Sequence, residues 1–337
     1  MPDRQIAQEL RDDADREAPA APGPDLPAAP ARQRPLRRAA VYRRPIVDGR
    51  EVRDTLWTRL ANRTRSALTS QAEREEARLE ARLGRRGSLT RSNTIAVLSP
   101  KGGVGKTTCT FILGNLLAGH LQLRCLAIDA NPDFGTLGAL ARDGDRSERS
   151  LADVVAAMSH ISSAAELRPF VSVLPTGLHL LAAPAHAEVM AELTPELYGQ
   201  LTAFLSRFYE VILLDLGTGI TGPIAQFAIG RADQTAVVTT PEWVTATTVL
   251  GALRHLEGEQ ASKLIVVLNQ APRSGSGDRE AIEEEFRRQR IGRLVTIPYD
   301  ERLRIMLDSG TYSVDALDRS TRMPVKELGA AVGGELV

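Results

Sequence analysis

From Thr94 onward the chain alternates short, nearly continuous apolar runs with longer segments whose apolar positions recur at helical spacing. The runs TIAVLS (94–99), RCLAIDA (124–130), GLHLLAA (177–183), EVILLDL (210–216), TAVVTT (235–240), KLIVVLN (263–269) and RLVTIPY (293–299) predict strands. Runs this continuous in hydrophobics fit strands covered on both faces, the situation of a parallel sheet. Helical spacing predicts helices over 107–121, 151–158, 194–207, 222–230, 243–257, 278–289, 300–308 and 323–332. Strand and helix in alternation predict right-handed crossovers. The expected fold class is therefore α/β, a doubly wound, mostly parallel sheet with helices on both sides. No internal repeat is visible.

The first third of the chain lacks this alternation. Residues 1–46 are rich in Ala, Pro, Arg and Asp, with neither helical nor strand periodicity, and are expected to be a disordered arm. Over 47–91 a basic, helical linker is expected. Val52, Leu56, Trp57, Leu60 and Leu68 form an apolar stripe at helical spacing, suited to docking on the chain's own domain or on a partner protein. QAEREEARLEARLGRRG continues as a charge-laced helix, and Gly84, Gly87 and Ser88 predict a joint before a domain spanning 92–337.

Charge separates the same two parts. The net charge of zero hides 20 Arg against 14 acids in residues 1–91, and 22 basic against 28 acidic residues in 92–337. Between Arg32 and Arg65 lie eleven arginines and three acids, a stretch that suits nucleic acid, an anionic membrane, an acidic partner or simple solvation. No apolar run reaches the roughly 18 residues of a membrane span, and the N-terminus MPDRQIAQELRDD has no secretory h-region, so a cytoplasmic protein without an integral membrane segment is expected. Two cysteines, Cys109 and Cys125, without a CxxC pair, argue against a disulfide framework, structural zinc or an iron–sulfur cluster. The five histidines show no metal-ligand spacing.

Arginine outnumbers lysine 38 to 4, yet two of the lysines, Lys101 and Lys106, fall within SPKGGVGKTT, residues 99–108. This segment follows a predicted strand and opens a predicted helix, the context in which a glycine-rich loop cradles phosphates. Gly102, Gly103 and Gly105, with Val104 among them, let backbone N–H groups converge on an anion, and the helix N-terminus adds its partial positive charge. Lys106 suits the β- and γ-phosphates of a triphosphate, Thr107 a Mg²⁺ ion, and Thr108 the α-phosphate. Asp215, at the end of EVILLDL, stands where a carboxylate holds a water of the Mg²⁺ shell.

The first glycine of the ordinary GxxxxGK pattern is replaced by Pro100, and an added lysine heads KGGVGKTT. This resembles the deviant Walker A motif of the ParA/MinD family of partitioning and positioning ATPases. The resemblance runs over about 93–320. It implies that Lys101 reaches the nucleotide of a second copy in an ATP-dependent homodimer, like an arginine finger, and that YEVILLDLGTG is the Walker B and switch II segment. Asn269 falls where the family contacts adenine, and IPYD, with Pro298 and Asp300, resembles its second base-contacting loop. The segment AIDANPDFGTLG departs from the family's Asp-x-Asp-Pro. Asp129 is expected to serve the Mg²⁺ shell, while Asn131 takes the position that orients the attacking water, with Asp133 nearby as a substitute. An amide positions water but is no base, so slow ATP hydrolysis is expected.

This switch I segment, joined to the long Ala/Pro/Arg-rich extension, also resembles MinD-like ATPases beside actinobacterial type VII secretion systems. Two functions follow: an ATPase switch that positions DNA or a protein cargo, or a slow or inactive ATP-dependent scaffold regulating a type VII secretion or conjugation machine. Either association places the protein at the nucleoid or at a machine. Arg302, Arg304, Arg319, Arg322 and Lys326 are the late basic residues available for non-specific DNA contact, and the basic arm is the other candidate for DNA or a secretion or partition partner.

Overall fold

The computed structural model describes residues 71–83, 89–131, 135–142, 144–253, 259–273, 277–289, 293–334 and 336. The expected arm (1–46), the apolar stripe from Val52 to Leu68, the joint at Gly84, Gly87 and Ser88, and Asp133 lie outside the described residues.

Eight strands form one sheet in the order β3-β4-β2-β5-β1-β6-β7-β8. They are β1 (Asn93–Ser99), β2 (Cys125–Ala130), β3 (Ser172–Val173), β4 (His179–Leu181), β5 (Val211–Thr218), β6 (Gln234–Thr239), β7 (Leu264–Ala271) and β8 (Arg293–Pro298). Every pairing is parallel except β3 with β4. All seven expected strands are present. The eighth, β3, is two residues long and too short for an alternation signal.

Helix α1 (Gln71–Leu83) precedes the sheet, and α2 (Lys106–Asn115) follows β1 and continues into a π turn, Leu116–His120. Further along the chain come α3 (Leu151–Ala157), α4 (Ala164–Leu167), α5 (Ala187–Ala191), α6 (Pro195–Leu205), α7 (Pro223–Arg231), α8 (Trp243–Leu253), α9 (Glu259–Ser262), α10 (Gly277–Arg288), α11 (Glu301–Ser309) and α12 (Arg319–Gly333). Helix α12 begins four residues before the expected 323, with Pro324 inside it. Proline is normally read as a first helical residue. Here the N–H groups of Thr321 and Arg322 already bond to the Asp318 carbonyl at 2.9 and 2.7 Å, so the helix starts earlier and forgoes one later bond.

Strand alternation divides the core between two faces. Ile95 and Val97 of β1, Cys125 and Ala127 of β2, and Val211 and Leu213 of β5 pack with Phe111, Ile112 and Leu116 of α2 and its π turn, and with Val325 and Leu328 of α12. Ala96, Leu98, Leu126, Ile128, Ile212 and Leu214 pack on the other face with α3, α6, α8 and α10. Each fully buried Leu, Ile, Val or Phe contributes about 1.5–3 kcal/mol. The same alternation, continued by two residues, sends Asp129 and Asp215 to the α2 face at the strand ends.

Helix α1 is docked on α12. Leu83 joins the α2-face core at 3% exposure, and Lys326, only 1% exposed, lies 3.0 Å from Glu76 and 2.6 Å from Glu80. Arg322 pairs with Glu76 at 2.7 Å and Arg319 with the same carboxylate at 3.6 Å. Arg302 pairs with Asp318 at 2.7 Å, and Arg304 with Asp308 at 2.7 Å and with Glu301. The five late basic residues expected to be available for DNA are each paired within the chain, Arg319, Arg322 and Lys326 sharing Glu76 and Glu80, while Arg302, Arg304 and Arg319 keep exposed side chains.

Candidate nucleotide site

The loop from Ser99 to Gly105 joins β1 to α2 at the C-terminal edge of the sheet, where open α/β sheets bind ligands. Ser99 opens it with a tight turn: its hydroxyl donates to the Lys101 carbonyl at 2.9 Å, and the Lys101 N–H donates back to that hydroxyl at 3.2 Å. Gly103 and Gly105 have φ of 78° and 91°, a region disfavoured for other residues. At Gly105 a Cβ would also lie 2.3 Å from Asn269 Nδ2, so glycine is required twice over. Gly105 caps α2 without a side chain, leaving the first-turn N–H donors for an anion.

The loop is braced from β7. Asn269, 4% exposed, donates from Nδ2 to the Val104 carbonyl at 2.9 Å, and Gln270, held at φ 57°, donates from Nε2 to the Gly103 carbonyl at 3.4 Å. Pro298 ends β8 half-buried beside them. Asp300 caps α11: one oxygen accepts from the Arg302 N–H at 3.0 Å, and the other from the Thr321 hydroxyl at 2.7 Å and from Arg273 at 3.0 Å. Sequence reasoning missed Gln270, whose only signal is its place after Asn269.

Lys106 is buried and forms no close ion pair among the described residues, and its charge acts on the Asp215 carboxylate. The Thr107 hydroxyl donates to Asp215 Oδ2 at 2.6 Å, while Asp215 Oδ1 is buried with no partner. An orphaned carboxylate oxygen costs about 1–3 kcal/mol and is expected only where something else completes it. Asp129 and Asp215 are register partners on β2 and β5. Asp129 is 1% exposed and accepts the N–H groups of Leu137 at 2.9 Å and Asn131 at 3.3 Å. The chain after β2 folds so closely over it that a Cβ on Gly135 would fall 2.2 Å from both carboxylate oxygens.

Burial raises the pKa of Asp215 to about 7, opposed by the Thr107 hydrogen bond, the Lys106 charge and the Thr110 hydroxyl and reinforced by the nearby Asp129 charge. Burial likewise raises Asp129 above the usual carboxylate range against its backbone hydrogen bonds. Two adjacent carboxylates that resist ionisation beside a lysine and a threonine hydroxyl suit a hard cation carried in with phosphate oxygens. Among the described residues no group of three or more His, Cys, Asp or Glu side chains forms a metal cage of its own.

Lys101 is exposed, and its ammonium lies 3.2 Å from Glu242 and 3.1 Å from the Thr245 hydroxyl, both just beyond β6. Neither partner was singled out from sequence. They are 141 and 144 residues from Lys101, and only the pairing of β1 with β6 brings them together. Trp243 and Val244 stand beside them, 55% and 73% exposed. Thr108 is half-buried in the first turn of α2, and Asn131 is half-buried directly after β2.

The description "CobQ/CobB/MinD/ParA nucleotide binding domain" matches residues 95–314. The chain is 32% identical over 290 residues to the ESX-1 secretion-associated protein EspI of Mycobacterium tuberculosis, covering 83% of this chain and 41% of that protein. It is 26% identical over 243 residues to the antiactivator FleN of Pseudomonas aeruginosa, covering 69% of this chain and 83% of FleN. Among solved structures it resembles a ParA family ATPase from Chlorobium tepidum, with TM-score 0.57, 22% identity and coverage of 70% of this chain and 96% of that one. The cell division ATPase MinD of Pyrococcus furiosus is similar at TM-score 0.55 and 22% identity, over 70% of this chain and 97% of that chain. At such identities the structural likeness establishes the fold.

Proposed function

The chain belongs to the CobQ/CobB/MinD/ParA nucleotide-binding family, and from that membership we propose that it binds ATP with Mg²⁺, dimerises on it and hydrolyses it slowly, as a switch that positions a cargo. The observation that carries this reading is the incomplete donor set of Thr107 and Asp215, with its buried, unpartnered oxygen. Thr107, Asp215 and Asp129 are the residues that would hold a Mg²⁺ ion or its waters, and the ion supplies charge neutralisation at the phosphate oxygens. Gly102 to Gly105 and the first turn of α2 bind the phosphate tail through N–H groups, and Lys106 adds a charge at its β- and γ-positions. Adenine is assigned to the crevice at the ends of β7 and β8, lined by Pro298 and braced by Asn269 and Asp300.

Dimerisation rests on the face that carries Lys101. Its ammonium is paired weakly and at the surface, and the two large apolar side chains next to it gain from being covered by a second copy. Lys101 then acts across the interface on the partner's γ-phosphate, so turnover depends on pairing. Asn131 positions water without accepting its proton, which keeps turnover slow.

A protein cargo fits better than DNA. The late basic residues are internally paired, and the name of EspI ties that relative to a secretion system. The described helices include none long and apolar enough to cross a membrane. Titration of a fluorescent ATP analogue into the full chain, with Mg²⁺ or with a chelator, tests the reading. Affinity that Mg²⁺ does not change, or that Asp215→Asn leaves unaltered, refutes it.

A further inference from the structure

A cavity of about 280 Å³ opens at the edge of the sheet opposite the phosphate loop, where β2 and β4 begin. Sites for drug-sized ligands run from roughly 300 to 1,000 Å³, and this one, just below that range, has room only for a smaller molecule. Its walls mix apolar surface from Phe208, Leu167 and Ala118 with the buried ring of Tyr209. Arg124 and Arg168 line it, and no acidic side chain does. Arg124 is tied to Glu210 at 3.3 Å. Arg168 donates only to the Val171 carbonyl at 3.0 Å and has no ion-pair partner among the described residues. His179 shares a hydrogen bond with the Tyr209 hydroxyl, Nδ1 to oxygen 2.8 Å. Burial, and then the Arg168 charge, hold its pKa below the ordinary imidazole value, so the ring is neutral near pH 7. The cavity therefore has at its rim the guanidinium of Arg168, an exposed residue without an ion-pair partner among the described residues, beside an apolar and aromatic lining.

Its position connects it to the P-loop helix. Ala118, in the π turn Leu116–His120, forms part of its wall. A π turn at a helix end is an uncommon feature that gathers at functional sites. Thr176, also in the lining, donates its hydroxyl to Asn115 Oδ1 at 2.5 Å, and Asn115, 1% exposed, donates from Nδ2 to the Phe111 carbonyl at 2.7 Å. A ligand that shifts Thr176 thus pulls on the last turn of the helix whose first turn faces the phosphate loop.

We propose that this cavity binds a small organic monoanion with an apolar or aromatic body, recognised by Arg168, and that Thr176 and Asn115 relay its presence to the P-loop helix. The binding site stands apart from the nucleotide reading; the relay rests on it. The probe is 2-naphthoate, with 2-naphthylmethanol as its uncharged match, titrated calorimetrically into the full chain. Affinity for a fluorescent ADP analogue is measured with and without saturating 2-naphthoate.

One saturable site is expected, about tenfold tighter for the carboxylate than for the alcohol, the scale of one charged hydrogen bond. Arg168→Gln removes that preference, and Arg288→Gln, on the exposed face of α10, leaves it in place. Saturating 2-naphthoate shifts nucleotide affinity by about threefold or more, within the range of ordinary site coupling. Thr176→Val keeps naphthoate binding and erases the shift. Absence of saturable binding, equal affinity for both probes, or an unaltered preference in Arg168→Gln overturns the site. Naphthoate binding that leaves nucleotide affinity unchanged in the wild-type chain overturns the relay, and failure of the ADP analogue to bind at all sinks the relay together with the nucleotide reading while sparing the site.

Discussion

Lys101 and Glu242, 141 residues apart in sequence, face each other at 3.2 Å across the ends of β1 and β6, so the lysine of the phosphate loop is held by its own chain. Both side chains are more than half exposed, and water screens such a surface pair to little net worth. That is weak enough to be exchanged for a partner's phosphate. Lys101→Ala is expected to leave ATP binding by the single chain within about twofold and to lower turnover by about 10³, the scale of a cation supplied in trans. Single-turnover hydrolysis beside equilibrium binding checks it, and a parallel loss of both would place Lys101 in the chain's own site.

Trp243, 55% exposed beside that pair, is expected to be covered in the ATP-bound dimer. Trp243→Glu adds a charge where an apolar surface should close, so sedimentation with ATP should show a monomer. Affinity for the nucleotide in the isolated chain should not change. A dimer that survives this substitution moves the interface elsewhere.

Gly105→Ala tests the brace between β7 and the phosphate loop. The new Cβ meets Asn269 Nδ2 at 2.3 Å, and the backbone stays at φ 91°. The left-handed conformation alone costs about 1–2 kcal/mol. Nucleotide affinity should fall by about tenfold or more. Asn269→Ala in the same chain removes the overlap and should recover part of the loss, as isothermal titration would show.

Glu76 is held down to a pKa of about 2 from 4.5, chiefly by its hydrogen bond to Arg322, with Lys326 adding to the effect. Between those values the folded chain binds fewer protons than the unfolded one. The contribution is therefore complete above about pH 4.5 and is lost as pH falls toward 2. Urea unfolding should show a steeper loss of stability in acid for the wild type than for Glu76→Gln. Glu76→Ala at neutral pH leaves Lys326, 1% exposed, with Glu80 alone and should cost about 1–3 kcal/mol.

The contrast between these sites shows what the sequence carries. The seven longer strands and the phosphate loop were legible because continuous apolar runs and a glycine-lysine-threonine order are local signals. The placement of Asp129 beside Asp215 was half legible, since each follows an apolar run toward the C-terminal end of its strand, but their register is set only when β2 and β5 pair. Lys326 was misread as a surface cation because one lysine in an amphipathic helix looks the same whether water or α1 covers it. The start of α12 was misplaced because Pro324 imitates a first helical residue. Glu242 had no local signal and Gln270 only its place after Asn269, as their roles exist only against the loop they touch.

Asn131 directly follows β2, and its backbone N–H holds Asp129 at 3.3 Å. It thus sits beside the carboxylate pair, and on the proposed reading it is the residue that orients the attacking water. Phosphoryl transfer depends mostly on positioning and charge, so the amide preserves part of the rate. Asn131→Asp changes few atoms and restores a proton acceptor, and general-base assistance contributes about 10²–10⁴ where it operates. The new carboxylate also adds negative charge beside Asp129 and Asp215, which reduces the gain and raises the demand for Mg²⁺. Turnover in this variant should rise by at least about tenfold at saturating Mg²⁺, with a smaller rise when the ion is limiting. A phosphate-release assay across a Mg²⁺ series separates these effects. An unchanged rate at every Mg²⁺ concentration would mean that a step other than water activation sets the pace, and that slowness does not originate at Asn131.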